Sequence, residues 1–232
     1  MGSAANLILM RHGESEWNVR GLVTGWADVK LTPRGHAQAS AAGAMLAADG
    51  LRVDVIFTSA LRRAVQSVGE VTAAMAAPLP EVASLWQLNE RHWGQLQGLG
   101  KEAIKCRWGA DQRQRWRRDP EALPPPLKLE DARHPRHDPY LARVPAVNLP
   151  DAERMIDVRR RVLEAWQTHV QPKLDAGATV AVVAHRDSLR VLIAELEGVE
   201  LERFAEIVVP HAAPRAYRVN GAVGSLCCES PL

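Results

Sequence analysis

The hydrophobic and polar positions change their spacing along the chain and predict strands and helices in turn. A short apolar run at Asn6–Met10 predicts a strand, and the apolar spacing over Pro33–Ala48 predicts a helix. A second pair follows, with a strand at Val53–Phe57 and a helix at Leu61–Ala76. This order of elements indicates an α/β protein.

The stretch from Thr179 to Ala184 is apolar and rich in β-branched residues without any alternation. Such a run is typical of a strand that is covered on both faces. A helix is predicted directly after it, from about Ser188 to Leu196. We therefore expect a three-layer α/β/α sandwich with a mostly parallel central sheet.

Eight of the 15 prolines of the chain fall between Pro120 and Pro150. Because proline lacks a backbone donor and interrupts helices and central strands, residues 119–150 are predicted to form a long excursion from the sheet. Just before it, Arg113, Arg115, Arg117 and Arg118 surround a tryptophan and predict a basic face. No internal repeat or flexible linker is visible, so one domain over residues 1–232 is expected.

The composition mainly excludes classes of protein and of binding partner. The chain has 47% hydrophobic and 24% charged residues, which is typical of a globular protein with a sizeable core. Its formal net charge of +2 does not indicate binding to nucleic acid or to a membrane surface, so any anion site must be local. We also expect no membrane span and no export signal.

The cysteines favour a reducing compartment. Cys106, Cys227 and Cys228 form neither a CxxC pair nor an even-numbered framework, so the sequence predicts no disulfide scaffold and no structural zinc site. The adjacent Cys227 and Cys228 are interpreted as incidental, since chain neighbours rarely form a useful bridge. We expect a cytoplasmic protein.

Ionisable residues follow two of the predicted strands. Arg11, His12 and Gly13 come directly after the first strand, and His185 ends the strand that begins near Thr179. Ligands of open parallel sheets bind at the carboxyl ends of strands, so the two histidines could face each other across one crevice. The arginine fork and the small glycine favour an oxyanion such as phosphate. A metal is the alternative, but no HxH or HExxH spacing is present.

Two further segments carry charged residues that could belong to a functional site. Arg62 and Arg63 open a predicted helix, where a positive charge opposes the helix dipole unless an anion is bound. A solvated arginine pair is the alternative. Glu90 lies in a dense group of ionisable residues, where crowding and burial could raise its pKa enough for acid and base catalysis. A salt bridge beside a helix is the alternative.

These residues lie in motifs that resemble the cofactor-dependent phosphoglycerate mutases of the histidine phosphatase superfamily. The resemblance covers about residues 6–220. Its motifs are RHGESEWN at Arg11–Asn18, TGW at Thr24–Trp26, TSALRRA at Thr58–Ala64, LNERHWGQLQGL at Leu88–Leu99, WRR at Trp116–Arg118 and AHRDSLR at Ala184–Arg190. RHG alone marks the superfamily, whereas LNERH with WRR and the proline-rich segment indicates the mutase branch.

The resemblance implies a role for each matched residue. His12 is the nucleophile that becomes phosphohistidine, Arg11, Arg63 and His185 surround the phosphoryl oxygens, and Glu90 is the general acid and base. The implied substrate-binding residues are Asn18, Thr24, Gly25, Arg91, Trp93, Lys101, Arg117, Arg118, Arg186 and Asp187.

The implied activity is the interconversion of 3-phosphoglycerate and 2-phosphoglycerate in glycolysis and gluconeogenesis. In this family 2,3-bisphosphoglycerate primes the histidine, and no metal is required. The resemblance further implies small phosphorylated hydroxy acids as ligands and a homodimer or homotetramer. Transfer through a phosphohistidine predicts ping-pong kinetics.

The sequence departs from the family pattern at several positions. Arg186-Asp187 replaces the usual Gly-Asn at a turn whose backbone donors are expected to face phosphate. Asp187 could cap the helix that follows, or repel phosphate unless Arg186 compensates. The other replaced positions are Trp93 for tyrosine, Gly100 for asparagine and His211-Ala212 for a Thr-Gly pair.

The segment after the last predicted strand is shorter than is usual in the family, since the sequence ends at Leu232. A shorter tail is expected to leave the site wetter, and water competes with substrate hydroxyls for phosphohistidine. A mutase-like phosphatase that hydrolyses small phosphate esters is therefore an alternative function. A non-catalytic protein that binds phosphorylated metabolites is a third.

Overall fold

A computed structural model describes residues 6–75, 78–142, 144–219 and 226–227. Its strands are β1 (Leu7–Arg11), β2 (Val55–Thr58), β3 (Glu81–Ser84), β4 (Val180–Ala184), β5 (Arg215–Val219) and β6 (Leu226–Cys227). They form one sheet in the order β3-β2-β4-β1-β5-β6. The first four strands in this order are parallel, whereas β5 is antiparallel to both β1 and β6. The predicted, mostly parallel sheet is confirmed.

Helices connect these strands. The α-helices are α1 (Glu16–Val19), α2 (Pro33–Ala48), α3 (Arg62–Ala74), α4 (Lys101–Trp108), α5 (Ala110–Arg118), α6 (Met155–Ala165), α7 (Gln171–Asp175) and α8 (Arg186–Glu197). A π-helical turn at Trp166–Val170 joins α6 to α7. Short 3-10 turns lie at Trp86–Leu88, Gly94–Leu96, Pro135–His137, Pro139–Leu141, Ala146–Asn148 and Leu201–Glu206.

The helix bounds follow from local signals. Helix α2 has the predicted bounds because Thr32 caps it, accepting a 2.9 Å bond from the Gly35 N–H, and because Pro33 fits its first turn. The prediction for α3 extended to Ala76, which lies outside the described residues. Helix α8 begins at Arg186 with His185 as the N-cap, so the expectation that Asp187 caps it is wrong.

Apolar side chains cover both faces of the sheet. Leu7 and Leu9 of β1 pack in one core with α6 and α8, while Ile8 and Met10 pack in a second core with α2 and α3. Successive side chains of a strand point to opposite faces, so the two cores lie on opposite sides of the sheet. The predicted three-layer α/β/α sandwich is confirmed.

The proline-rich excursion forms an outer layer near the carboxyl edge of the sheet. Within its described residues the chain adds no strand and instead forms three short 3-10 turns. The carbonyl of Pro125 accepts a 2.8 Å bond from the Gln95 N–H, and Leu141 and Val144 pack against Trp26. These contacts place the described part of the proline-rich segment next to the TGW and LNERH motifs.

Two expectations lie wholly or partly outside the described residues. Residues 220–225 and 228–232 lie outside the described residues, and they include most of the tail after β5 and Cys228. Cys106 is exposed and unpaired. Across the described ranges, no helix has both the length and the apolar character that crossing a membrane requires.

Candidate active site

The two histidines predicted at strand ends lie side by side. His12 follows β1 and His185 follows β4, and these strands are neighbours in the sheet. The centroids of the two rings are 5.0 Å apart. Ser59, which follows β2, places its hydroxyl 2.6 Å from Nε2 of His185. The predicted crevice at the carboxyl edge is therefore confirmed.

This crevice continues into a cleft of about 190 Å³. The predicted residues that line it are Arg11, His12, Asn18, Thr24, Gly25, Arg63, Glu90, Trp93, Arg117 and Arg186. It is also lined by Gly21, Leu22, Val23, Leu96, Ile104 and Arg113, which the sequence analysis did not assign to the site. Most of the predicted site residues thus share one space.

His12 is held in the tautomer that a nucleophile needs. Its Nδ1 lies 2.6 Å from the carbonyl oxygen of Gly13. Because a carbonyl oxygen only accepts, Nδ1 carries the proton and Nε2 carries the lone pair. Burial, and next the positive charges of Arg63 and Arg11, hold the pKa of His12 well below its usual value. At neutral pH the ring is uncharged, with a nucleophilic Nε2.

Gly13 allows this arrangement because it has no side chain. A Cβ at this position would lie 2.2 Å from the carbonyl oxygen of Gly35 at the start of α2. The Gly13 N–H donates to the Ser67 hydroxyl at 3.0 Å. The glycine of the RHG motif therefore lets the loop after β1 pack directly against α2.

The charges of two arginines act on His12, and one of these arginines contacts its Nε2. Arg63 directs its Nε to this nitrogen at 3.3 Å, while its terminal nitrogens donate to the carbonyls of Ala27 and Gly25. Arg11 donates to the carbonyl of Val209, but its buried Nε has no partner among the described residues. An unsatisfied buried donor beside a nucleophile suits an anionic ligand.

Gly25 has a backbone conformation and surroundings that favour glycine. Its φ is +55°, and a Cβ would lie 2.0 Å from Oε1 of Gln97. That oxygen accepts a 2.7 Å bond from the Trp26 N–H. Gln97 thus positions the TGW loop, a role the sequence analysis missed although Gln97 lies within the LNERHWGQLQGL motif.

Glu90 is buried in the same cleft. Its Oε1 accepts hydrogen bonds from the backbone N–H groups of Arg91 at 3.0 Å and Asp187 at 3.1 Å. Burial is the main cause that raises the pKa of Glu90, and the charge of Asp187 is the next. The expected raised pKa is confirmed. Glu90 forms no ion pair with any described residue, so the salt-bridge alternative is not supported.

Arg161 supports the loop that carries Glu90, and the sequence analysis missed it. Its guanidinium donates to the carbonyls of Gln87, Asn89 and Glu90. It also pairs at 2.7 Å with Glu153, and both side chains are 6% exposed. The available signal was an arginine on the apolar face of α6.

Arg186 and Asp187 form an ion pair at the start of α8. The carboxylate oxygen Oδ1 of Asp187 accepts from Arg186 Nε at 3.1 Å and from Arg190 Nη1 at 3.2 Å. Burial acts to raise the pKa of Asp187, but Arg186 and Arg190 together lower it to about 2. The carboxylate is therefore ionised and compensated, as the sequence analysis required for a nearby phosphate.

The arrangement of Arg91 corrects the implied substrate contact. Its side chain is fully buried, and its guanidinium donates to the carbonyls of Glu153, Trp116 and Ala122 at 2.7–2.8 Å. These bonds connect the α5 residue Trp116 to the loops that carry Glu153 and Ala122, so the guanidinium does not face the cleft. Lys101 and Arg118 are exposed and do not line the cleft either.

His211 and Ala212 lie behind the nucleophile. The ring of His211 is centred 5.4 Å from that of His12, and its Nδ1 is 3.0 Å from the His12 carbonyl oxygen. Burial is the main cause that lowers the pKa of His211 to about 4. Ala212 has a positive φ of 46°, which is consistent with the glycine usual there.

The described residues contain no group of three or more His, Cys, Asp or Glu side chains arranged to hold a metal ion. The expectation that the protein needs no metal stays a prediction.

Comparison with known proteins agrees with the geometry of the site. The sequence matches the family model of the histidine phosphatase superfamily (branch 1) over residues 7–136 and 127–222. It is 41% identical over 219 residues to a 2,3-bisphosphoglycerate-dependent phosphoglycerate mutase of Nitratidesulfovibrio vulgaris, covering 94% of this chain and 88% of the relative. A relative of the same description from Leifsonia xyli is 42% identical over 221 residues, or 95% of this chain and 88% of the relative.

Solved structures share the architecture. Bacillus stearothermophilus YhfR superposes with a TM-score of 0.74 at 24% identity, covering 97% of this chain and 96% of that one. The mycobacterial glucosyl-3-phosphoglycerate phosphatase gives a TM-score of 0.67 at 23% identity, with 92% of each chain covered. At such identities the likeness establishes the fold alone.

Proposed function

The chain belongs to the histidine phosphatase superfamily, and on that premise we propose that it is a 2,3-bisphosphoglycerate-dependent phosphoglycerate mutase. It interconverts 3-phosphoglycerate and 2-phosphoglycerate through a phosphohistidine at His12. The observation that carries the proposal is an uncharged His12, with Arg63 Nε at 3.3 Å from its Nε2, in one cleft with Arg11 and with a Glu90 of raised pKa. The relatives named as mutases at about 41% identity support this choice of reaction.

His12 acts as the nucleophile. Its Nε2 lone pair attacks phosphorus, the N–P bond forms, and the bond from phosphorus to the ester oxygen breaks. Arg63 Nε lies 3.3 Å from Nε2, and Arg11, whose buried Nε has no partner among the described residues, lines the same cleft; both donate to the phosphoryl oxygens. Fixed donors in a buried site stabilise the charge that develops during transfer.

Glu90 acts as the general acid and base of the reaction. In its protonated form it gives a proton to the departing ester oxygen, and in its ionised form it accepts one from the attacking hydroxyl. Burial raises the pKa of Glu90 toward the range in which both forms are accessible. Its two backbone hydrogen bonds keep the carboxylate in place during both steps.

The cleft fits the charge of the implied priming compound. Among the described residues, five arginines and one glutamate line it. When bound, 2,3-bisphosphoglycerate supplies the phosphoryl group that primes His12. The arginines neutralise an anionic ligand, and the apolar side chains of Leu22, Val23, Leu96 and Ile104 reduce the space for water.

The proposal also covers the ligands, the oligomeric state, the metal requirement and the location of the protein. The ligands are small phosphorylated hydroxy acids, and the protein is a cytoplasmic homodimer or homotetramer that needs no metal. The relatives named as mutases support the ligand class. Full activity after dialysis against a chelator, and a single dimeric or tetrameric species in sedimentation, are the expected results.

The decisive assay couples 2-phosphoglycerate formation to enolase, with and without 2,3-bisphosphoglycerate, and follows free phosphate in parallel. Isomer formation that the bisphosphate stimulates, without phosphate release, is the expected result. Phosphate release without isomer exchange would identify a phosphatase. Tight binding of phosphate esters without phosphohistidine would identify a binding protein. Either outcome would overturn the proposal.

A further inference from the structure

A histidine side chain, rather than a backbone N–H, bonds the carbonyl of the nucleophile. The antiparallel pairing of β1 with β5 ends with Leu9 opposite Arg215. Pro214 comes next along this edge and has no backbone N–H to donate. Beyond that point, Nδ1 of His211 lies 3.0 Å from the carbonyl oxygen of His12. The imidazole of His211 therefore supplies the donor that this carbonyl receives.

His211 is a neutral donor outside the cleft. Because a carbonyl oxygen only accepts, Nδ1 of His211 carries the proton. Burial is the main cause that lowers the pKa of His211 to about 4, so the ring is uncharged at neutral pH. The ring is centred 5.4 Å from that of His12, but His211 is not among the residues that line the cleft. Any effect of His211 on catalysis must therefore pass through His12.

Both backbone groups of His12 are bonded. Its N–H donates to the carbonyl of Ala184 in β4 at 3.0 Å, and its carbonyl accepts from His211. The next N–H along the chain, that of Gly13, donates to the Ser67 hydroxyl on α3 at 3.0 Å. The peptide that joins His12 to Gly13 is thus fixed at its carbonyl by His211 and at its N–H by Ser67.

This peptide determines where Gly13 lies. Glycine has no Cβ to restrict its backbone, so contacts on either side must set its conformation. The Gly13 carbonyl is the group that lies 2.6 Å from Nδ1 of His12, and this bond leaves the Nε2 lone pair for attack on phosphorus. A weaker hold on the peptide would let the carbonyl move away from Nδ1. The imidazole of His12 would then lose the contact that fixes its orientation and its tautomer.

We propose that His211 is a positioning residue for the nucleophile. Its Nδ1–H holds the carbonyl of His12, and thereby keeps the Gly13 carbonyl bonded to Nδ1 of His12 while Nε2 stays free to attack. The inference rests on the proposed function and deepens it, because it assigns a role in phosphoryl transfer to a residue outside the cleft. His211 and Ala212 replace the Thr-Gly pair usual in the family, so an imidazole in this role is a property of this sequence.

The test compares two replacements of His211. His211→Phe keeps an aromatic ring beside His12 but removes the donor. His211→Asn places an amide nitrogen as many bonds from Cα as Nδ1 of histidine, so it can donate to the same carbonyl. Circular dichroism checks that both variants fold. His211→Gln, whose amide lies one bond farther out, takes the place of His211→Phe should that variant not fold.

Two readouts are measured on each variant. The enolase-coupled assay gives kcat and KM for 3-phosphoglycerate in the presence of 2,3-bisphosphoglycerate. Proton NMR of the protein without ligand gives the signal of the Nδ1–H of His12, which is assigned by its absence from the His12→Gln protein. The chemical shift of this proton reports the length of its bond to the Gly13 carbonyl. A loss of overall stability would not move it.

His211→Phe should lower kcat about tenfold, which is the rate effect of one ordinary hydrogen bond. KM should change less than about twofold, because His211 does not line the cleft. The Nδ1–H signal of His12 should move upfield as its bond to the Gly13 carbonyl lengthens. His211→Asn should bring kcat back to within about threefold of the wild type and should return the signal toward its original position.

His137→Phe is the matched control. Nε2 of His137 lies 2.9 Å from the carbonyl oxygen of Leu129, so this histidine also bonds a backbone carbonyl, but it is exposed and does not line the cleft. Its replacement should leave kcat and the His12 signal unchanged. An unchanged kcat in His211→Phe, a fall in kcat with the signal in place, or no recovery in His211→Asn would each overturn the positioning role.

The same data separate the inference from the proposed function, because the NMR signal requires no turnover. If the wild-type protein lacks mutase activity but the signal moves in His211→Phe and returns in His211→Asn, the positioning role stands and the mutase assignment fails. If mutase activity is present and neither kcat nor the signal changes, the mutase assignment stands and the positioning role fails.

Discussion

The carboxylate of Glu90 accepts a 3.1 Å hydrogen bond from the backbone N–H of Asp187, in the first turn of α8. The proposed general acid is therefore held by the backbone of Asp187. The side chain of Asp187 carries a negative charge, which Arg186 and Arg190 compensate. The backbone donor favours the ionised form of Glu90, whereas the charge of Asp187 raises its pKa. The replacement of asparagine by aspartate at this position therefore acts on the proton affinity of Glu90.

Asp187→Asn should shift the pH dependence of catalysis. The substitution removes the charge that raises the pKa of Glu90 and releases Arg186, whose positive charge lowers it. Both effects make Glu90 lose its proton at lower pH, so the alkaline limb of the kcat profile should move to lower pH. Glu206→Gln, at an exposed pair with Arg203, is the control and should leave the profile unchanged. An alkaline limb that stays or moves up would contradict the coupling.

Glu90→Gln should lower kcat by about 10²–10⁴-fold, because proton transfer to the leaving oxygen is lost. The carboxamide oxygen can still accept from the N–H groups of Arg91 and Asp187, so the fold should persist. Steady-state rates across the pH range and a circular dichroism spectrum check both statements. An alkaline limb identical to that of the wild type would rule out Glu90 as the group that titrates.

His12→Gln should abolish the phosphoenzyme. Without the imidazole Nε2 no N–P bond can form, so incubation with radiolabelled 2,3-bisphosphoglycerate should leave no acid-labile, alkali-stable label. His36→Gln is the control, since His36 is half exposed on α2 and pairs with Glu70. It should label like the wild type. Label retained on the His12→Gln protein would identify a different nucleophile.

Sequence patterns could predict the layers of the fold because the patterns and the layers both depend on which side chains are buried. The uninterrupted apolar run of β4 and the spacing of α2 are direct consequences of which faces contact the core. The meeting of His12 and His185 was predictable for the same reason, since parallel strands place their carboxyl ends together.

Contacts between distant polar groups could not be predicted in this way. Nothing local in the sequence tells that Arg91 turns to three backbone carbonyls, or that Arg161 reaches the carbonyl of Glu90 across 71 positions. Buried guanidinium groups bind wherever the fold leaves carbonyls unpaired, and that depends on the packing of several elements. The effect of the Asp187 carboxylate on the pKa of Glu90 was not predicted for the same reason.

Gly25→Ala should destabilise the protein more than Gly21→Ala. Both glycines have positive φ, +55° and +66°, so each substitution costs about 1–2 kcal/mol of backbone strain. At Gly25 the new Cβ also meets Oε1 of Gln97, whereas at Gly21 it meets open space. Urea unfolding measures the difference, and the Gly25 variant should also raise KM because the TGW loop moves. Equal losses of stability would show that the contact with Gln97 carries no cost.

Acid should destabilise the protein through its buried histidines, and His92 allows a direct test. Burial is the main cause that lowers the pKa of His92 to about 3 in the folded state, against 6.5 in the unfolded chain. The unfolded state therefore binds the extra proton as pH falls below 6.5, and stability is lost. For one histidine the loss between pH 7 and pH 5 is about 2 kcal/mol.

His92→Gln should lose less stability than the wild type over this range in urea titrations, by about that amount. His137→Gln, on the exposed excursion, is the control and should follow the wild type. If His92→Gln also follows the wild type, His92 is not the group that takes up the proton.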